Sequence, residues 1–294
     1  MRRLSKSAYG EVYHRGSNQG FIVTPAGVLV VDTPERPIQA VKWREKIVDQ
    51  FGPIRHLVNT HHHGDHIAGN YYFPGVEVIG HELLPLLFDE TLKTFYGPDR
   101  IERMKQVDPD SLWLVNHPAY PPNPPTRLYQ EQLEIVLGDV RIEILHFPGH
   151  TPEETHVYLP DEKVMFTGDN VFYQHKIYLQ DCDPWQQIES VRRMESYDVE
   201  VFLPGHGEYL FDKSYLNEEI TIIEAWISLV ESLVKRGLSL EEALKEPVPA
   251  DVDPYAPGQG RVDAAARIND INIRNLYRRV KERLDAGGGL SPLP

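Results

Sequence analysis

The sequence predicts an α+β fold: two β-sheets stacked face to face, helices on their outer sides, and a helical C-terminal stretch. Three observations predict it. Short β-rich runs alternate with amphipathic helical runs through two similar halves. The strands are too many for one twisted layer, so two stacked sheets covered by helices are needed to bury their apolar faces. After residue 211 the β-rich runs stop and helical spacing takes over. The expected division is a sandwich over residues 1–211, helices packed on it over 212–286, and a flexible tail over 287–294.

In chain order, Glu11 to His14, Gly20 to Val23 and Val28 to Val31 read as strands, with Pro25-Ala26-Gly27 as a hairpin turn. Ile38, Val41, Trp43, Ile47 and Val48 have helical spacing, and Gly52-Pro53 stops that helix before Phe51 can be followed by another turn. Ile54 to Val58 and Val76 to Ile79 read as buried strands. Leu83 to Met104 reads as a helix interrupted near Gly97-Pro98. Five prolines between Asn116 and Pro125 make a stiff crossover. Strands follow at Gln132 to Leu137, Val140 to Phe147, His156 to Leu159, Val164 to Thr167 and Glu200 to Leu203, with a helix at Pro184 to Ser196. Leu216 to Lys235 and Arg261 to Leu284 are the long C-terminal helices. Ser239 to Glu242 carries an N-cap with an acidic first turn.

The net charge of −14 argues against a nucleic-acid partner, because phosphate binding needs clustered Lys and Arg. The single cysteine, Cys182, excludes an internal disulfide and a Cys-based zinc finger, and fits a reducing, cytoplasmic location. The basic start, Met1 to Lys6, lacks a following apolar stretch. The run Gly27 to Val31 is too short for a membrane span, so no membrane partner is expected.

The most informative segment is Thr60-His61-His62-His63-Gly64-Asp65-His66. Imidazole and carboxylate are ligands for transition metals, and a packed core has no use for four imidazoles in one short stretch. In extended chain His61 and His63 point the same way, and His62 points away. Gly64 lets the chain turn so that Asp65 and His66 aim at a second position beside the first. Three more ligand types follow a glycine near a strand end: Pro148-Gly149-His150, Thr167-Gly168-Asp169 and Pro204-Gly205-His206. His14, His56, His117 and His146 read as surface or strand residues. His81, His156 and His175 stay open, with His175 in a segment that can line a pocket mouth.

These motifs, in this order from Asp32 to His206, resemble the metallo-β-lactamase superfamily. The resemblance implies a four-layer αββα sandwich with a metal site along one edge of both sheets. It implies His61, His63 and His150 as ligands of a first metal and Asp65, His66 and His206 as ligands of a second, with Asp169 bridging. It further implies Asp32 as the partner behind a ligand histidine. The plain alternative for Asp32 is a turn cap.

Two divalent ions are therefore expected, zinc first, with manganese or iron equally compatible with these donors. Such a pair generates hydroxide from water at neutral pH, and Asp65 stands where it can orient that water or receive its proton. The expected activity is hydrolysis of a small-molecule ester, thioester, lactone or similar acyl substrate. A β-lactam hydrolase is one alternative, although the commonest such branch has a cysteine where this chain has Asp169. A mononuclear iron, persulfide dioxygenase-like oxidoreductase is another, since two histidines and an aspartate are available for it. A binding protein on a degenerate scaffold would lack ligands, and none is missing. Phe172, Tyr173 and His175 are the candidate substrate-pocket residues. Phe172 stands where lactonases of the family carry a tyrosine. Arg274, Arg278, Arg279, Lys281 and Arg283 match no substrate-binding motif and read as a solvated helix face. The helix around Trp226 has the apolar face either to wall the pocket or to bury a homodimer surface.

Overall fold

The computed structural model describes residues 1–12, 16–257 and 264–287. Seven strands form the first sheet in sequence order: β1 (Arg2–Arg3), β2 (Ala8–Glu11), β3 (Gln19–Thr24), β4 (Gly27–Val31), β5 (Ile54–Val58), β6 (Glu77–His81) and β7 (Arg127–Tyr129). The second sheet has five, β8 (Gln132–Leu137), β9 (Val140–His146), β10 (Thr155–Leu159), β11 (Val164–Tyr173) and β12 (Val201–Gly207), also in order. The helices are α1 (Pro37–Phe51), α2 (Gly64–Ile67), α3 (Leu84–Phe95), α4 (Pro98–Val107), α5 (Pro184–Met194), α6 (Ser214–Lys235), α7 (Leu240–Ala243) and α8 (Ala264–Asp285). Pairing is antiparallel from β1 to β4 and parallel from β4 to β7. In the second sheet only β11 and β12 run parallel, and α5 lies in the crossover that parallel neighbours require.

The layers follow from the two-residue period of the strands. In β4, Val28 and Val30 face Trp43 and Ile47 of α1, while Leu29 and Val31 face the other sheet. In β9 to β12, Ile144, Val157, Phe166 and Leu203 meet them in the middle. Their neighbours Leu145, Tyr158, Met165 and Phe202 turn outward to α5, α6 and α8. The result is helix, sheet, sheet, helix, as the sequence predicts. The break between α3 and α4 falls at Gly97, and Ser239 and Glu242 form a reciprocal capping box at α7. No helix among the described residues is long and apolar enough to cross a membrane.

Some expectations need correction. β11 does not end at Thr167, nor β12 at Leu203: they pair on to Tyr173 and Gly207. Register shifts after Phe166 and Gly168, the latter at φ +51°, bulge the pair and hide the continuation from a two-residue period. Asp169 and His206 thus lie inside strands rather than after them. β1 and β7, of two and three residues, are too short to show any period. The strand expected to reach His14 ends at Glu11, and His14 lies outside the described residues. The last helix is described from Ala264; Arg261 to Asp263, the loop residues 258–260 and all of the expected tail after Gly287 lie outside them too.

Candidate metal centre

The site forms along one edge of the sandwich, past the ends of β4 and β5 and beside the bulged second halves of β11 and β12. β5 stops at Val58, and the chain passes through Asn59 and Thr60 to His61. The Thr60 carbonyl accepts the Thr155 N–H at 2.8 Å, which ties this loop to the second sheet. His63 is the N-cap residue of α2, whose first turn carries Asp65 and His66.

All seven predicted ligand residues converge. The ligand atoms of His61, His63, His150 and Asp169 all lie within 4.8 Å of one another, and so do those of Asp65, His66 and His206. Asp169 stands between the groups. Its Oδ2 is 3.8 Å from His61 Nε2, 3.6 Å from His150 Nε2 and 3.3 Å from His206 Nε2, and its Oδ1 is 3.3 Å from His66 Nε2. His206 Nε2 is also 3.3 Å from Asp65 Oδ2.

The donors fit a cation. His61 Nε2, His66 Nε2 and Asp169 Oδ1 are buried and make no hydrogen bond. Each such orphan costs about 1–3 kcal/mol, a cost that coordination to a metal ion removes. Imidazole nitrogen and carboxylate oxygen are the donors that zinc, manganese and iron share.

Behind the cluster stand carboxylates. Asp32 Oδ2 lies 2.8 Å from His66 Nδ1, and the Asp32 carboxylate also accepts from Thr60 N and Thr60 Oγ1 at 2.8 and 2.7 Å. It is thus both a partner of a ligand-type histidine and a cap on the loop. Two further partners escape sequence reasoning. Glu154, fully buried, places Oε1 3.4 Å from His61 Nδ1 and accepts the Asp169 N–H at 3.0 Å. Asp181 Oδ2 lies 2.9 Å from His63 Nε2, while His63 Nδ1 faces His150 Nε2 at 3.1 Å. Both come from distant segments; the one local signal was acidity, which 44 residues share. His62 turns away from Asp169, as expected, toward Glu153 and Asp181.

The electrostatics follow from this crowding. Burial opposes charge on His66 and His206, but Asp169 outweighs it, with Asp32 and Asp65 helping the former and Asp65 the latter. His66 is pushed well up and His206 up to about 9. Burial, with His66 and His63 nearby, holds His61 well down; burial and His63 bring His150 down to about 3, although Asp169 opposes. Burial also opposes ionisation of Asp65 and Asp169. The adjacent His66 and His206 prevail, so both carboxyls sit well below their usual range.

A cavity of about 390 Å³ opens onto His63, Asp65, Asp169 and His206. His175 lines it; Phe172 and Tyr173 do not. Phe172 is fully buried beneath the site, its ring stacked on His206 at 5.5 Å and 3°. Its carbonyl accepts from Tyr215 Oη at 2.7 Å, and its N–H donates to Glu219 at 3.3 Å. Tyr173 packs edge-on against Tyr215. Tyr178 and Gln180, not foreseen, line the cavity instead. Asn272 and Asn275 of α8 hold this loop through Leu179 N and the carbonyls of Ile177, Leu179 and Cys182.

Other described histidines pack away from the centre. His156 is buried, stacked on Phe147 and bonded to Asn170 Nδ2; His81 stacks on His146 at 4.0 Å; His56 pairs with Glu77. Arg278 and Arg279 meet Glu282, and Arg283 lies over Trp185, so this part of α8 is a surface face.

Comparison with known proteins agrees with this geometry. The family model described as the metallo-beta-lactamase superfamily matches residues 12–206, and the chain belongs to that family. It is 24% identical over 276 residues to a linear primary-alkylsulfatase from a Pseudomonas species, covering 80% of this chain and 51% of that protein. It is 32% identical over 169 residues to an acyl-coenzyme A thioesterase from Gallus gallus, covering 54% of this chain and 58% of that one. The solved structure of an inverting sec-alkylsulfatase from a Pseudomonas species superposes with a TM-score of 0.70 at 17% identity, over 99% of this chain and 52% of the other. The chain thus spans little more than half the length of each of these proteins, and the structural likeness speaks for the fold alone.

Proposed function

We propose that the chain hydrolyses an acyl ester or thioester with two divalent metal ions, zinc first, held in its site. His61, His63 and His150 would hold one ion, Asp65, His66 and His206 the other, and Asp169 both. The observation that carries this reading is the single carboxylate, Asp169, standing between two groups of ligand atoms, each with one buried imidazole nitrogen, His61 Nε2 and His66 Nε2, that has no hydrogen bond. Ions bound there supply a hydroxide at neutral pH and polarise the substrate oxygen. The chain supplies position. Asp65, exposed enough to reach the cavity, carries a carboxyl held low, which makes it a weak base and suits it to orienting the water. In the reaction the water oxygen bonds to the acyl carbon, the C–S or C–O bond breaks, and the water protons leave with the thiol or alcohol and with the acid formed.

The likeness to the acyl-coenzyme A thioesterase supports an acyl substrate. A second reading, sulfate-ester hydrolysis, is favoured by the likeness to the alkylsulfatase, which extends over 80% of the chain. Metal analysis of the purified protein, paired with a thioester, ester, lactone, β-lactam and alkyl sulfate panel, separates these readings. Turnover of the thioester or ester that disappears on chelation and returns with zinc is expected. Stoichiometric iron with oxygen uptake on a persulfide would replace the hydrolase with an oxidoreductase.

Asp32→Ala is expected to weaken metal binding by about 10- to 100-fold, because His66 loses the carboxylate that orients it. Competition against a chromophoric chelator measures this, and unchanged affinity would remove Asp32 from the site.

Metal binding should also depend on pH. The His206 ring, held up to about 9, must lose its proton to coordinate. Apparent affinity is expected to rise from pH 6 to pH 9, by about tenfold per pH unit for each proton displaced. The metal-free protein runs the other way. A histidine raised from its ordinary 6.5 to about 9 contributes stability fully below 6.5 and loses it as pH climbs through 9. Melting curves with and without chelator across this range test both signs.

A further inference from the structure

The cavity that opens onto the site is walled by arginines from two distant parts of the chain. Arg100 and Arg103 come from α4, and Arg267 comes from the start of α8. Arg100 is engaged: its guanidinium meets Glu35 at 3.0 Å and lies over the Phe95 ring at 4.2 Å. Arg103 and Arg267 are not. Among the described residues, only Arg103, Arg267 and Arg274 are arginines whose side chains make no hydrogen bond, ion pair or ring contact, and two of the three line this cavity. The chain as a whole carries a net charge of −14, so carboxylate partners are plentiful, yet these two arginines have none among the described residues. The described charged residues of the cavity wall outside the His/Asp cluster are Glu35 and three arginines. Phe95, Tyr178 and Pro257 supply apolar surface between this wall and the cluster.

We infer that the substrate carries an anionic group, a phosphate or carboxylate away from the scissile bond, and that Arg103 and Arg267 receive it. The inference deepens the acyl-hydrolase reading and rests on it for the position of the scissile bond. A guanidinium offers a planar fork of N–H donors matched to phosphate and carboxylate oxygens, and two such forks from α4 and α8 line one cavity. One end of the substrate then lies at Asp169 and the other at the arginines, with its uncharged middle against Phe95 and Tyr178. Attraction of this kind in a solvent-open cleft weakens with salt.

The test uses a matched pair of acetyl thioesters on metal-loaded protein: one of pantetheine, which is neutral, and one of 4′-phosphopantetheine, which differs only by its phosphate. The wild-type protein is expected to favour the phosphorylated thioester at least tenfold in kcat/KM at low ionic strength, with the preference shrinking as salt is added. In the double variant Arg103→Ala/Arg267→Ala the ratio falls toward one, mainly through KM. A ratio near one in the wild type, or a preference that survives the double substitution, overturns the inference while hydrolysis itself stands. Calorimetric titration with 4′-phosphopantetheine and neutral pantetheine reads the same discrimination without turnover. Tighter binding of the phosphorylated form that depends on both arginines, in a protein that cleaves neither thioester, supports the anion site and sinks the acyl-hydrolase reading. Equal binding of the two sinks the anion site.

Discussion

Asp169→Ala is expected to lower hydrolysis by about a thousandfold and to leave the protein unable to hold two ions. Among the described residues, Asp169 is the side chain whose carboxylate lies within 3.8 Å of His61, His66, His150 and His206 together. Its removal takes a donor from both positions at once. Loss of several kcal/mol of stabilisation of the reacting charge corresponds to about three powers of ten in rate. The variant also leaves His66 and His206 without the charge that holds both rings protonated in metal-free protein, so their titration should move down. Metal content by mass spectrometry and ring titration by NMR give two readouts besides activity. Full metal content in a folded Asp169→Ala protein would contradict the shared-ligand arrangement.

Gly205→Ala is expected to cost about a hundredfold in activity with little loss of secondary structure. A Cβ at this position would stand 1.9 Å from Asp169 Oδ1 and 2.8 Å from the Gly168 carbonyl, so Asp169 or the strand must move. A displacement near 1 Å at a positioned catalytic group costs on the order of 10² in rate. The Gly205 carbonyl meanwhile accepts the Asn18 N–H at 2.6 Å, which limits how far β12 can shift to make room. Circular dichroism and metal analysis of the variant test this; a wild-type rate with wild-type metal content would show that the strands yield freely.

The layers of this fold were legible because β9 alternates apolar and charged residues from Val140 to Ile144, because β4 is a short apolar run bounded by Gly27 and Asp32, and because Gly and Pro mark the breaks around α1, α3 and α4. The inward-facing cluster was legible because four of its members share six consecutive positions and the others each follow a glycine. The supports were not. Glu154, Asp181, Tyr178 and Arg267 come together with the cluster only through tertiary folding, and nothing in their own neighbourhoods distinguishes them from other acidic, aromatic or basic residues. Phe172 misled for a related reason. Its place near Asp169 suggested the cavity wall, but the bulge at Gly168 resets which side of β11 faces inward, and its ring goes beneath His206.

That buried ring has a thermodynamic consequence. Tyr215 and Glu219 of α6 hold both backbone polar groups of Phe172, and burial pushes the Glu219 carboxyl well up. Whatever binds His206 therefore binds a face of the same cooperative unit that includes Trp226 and the core of α6. By linkage, ligand free energy at the sheet edge is shared with α6, none of whose residues lines the cavity. The C-terminal helices should melt with the centre rather than before it.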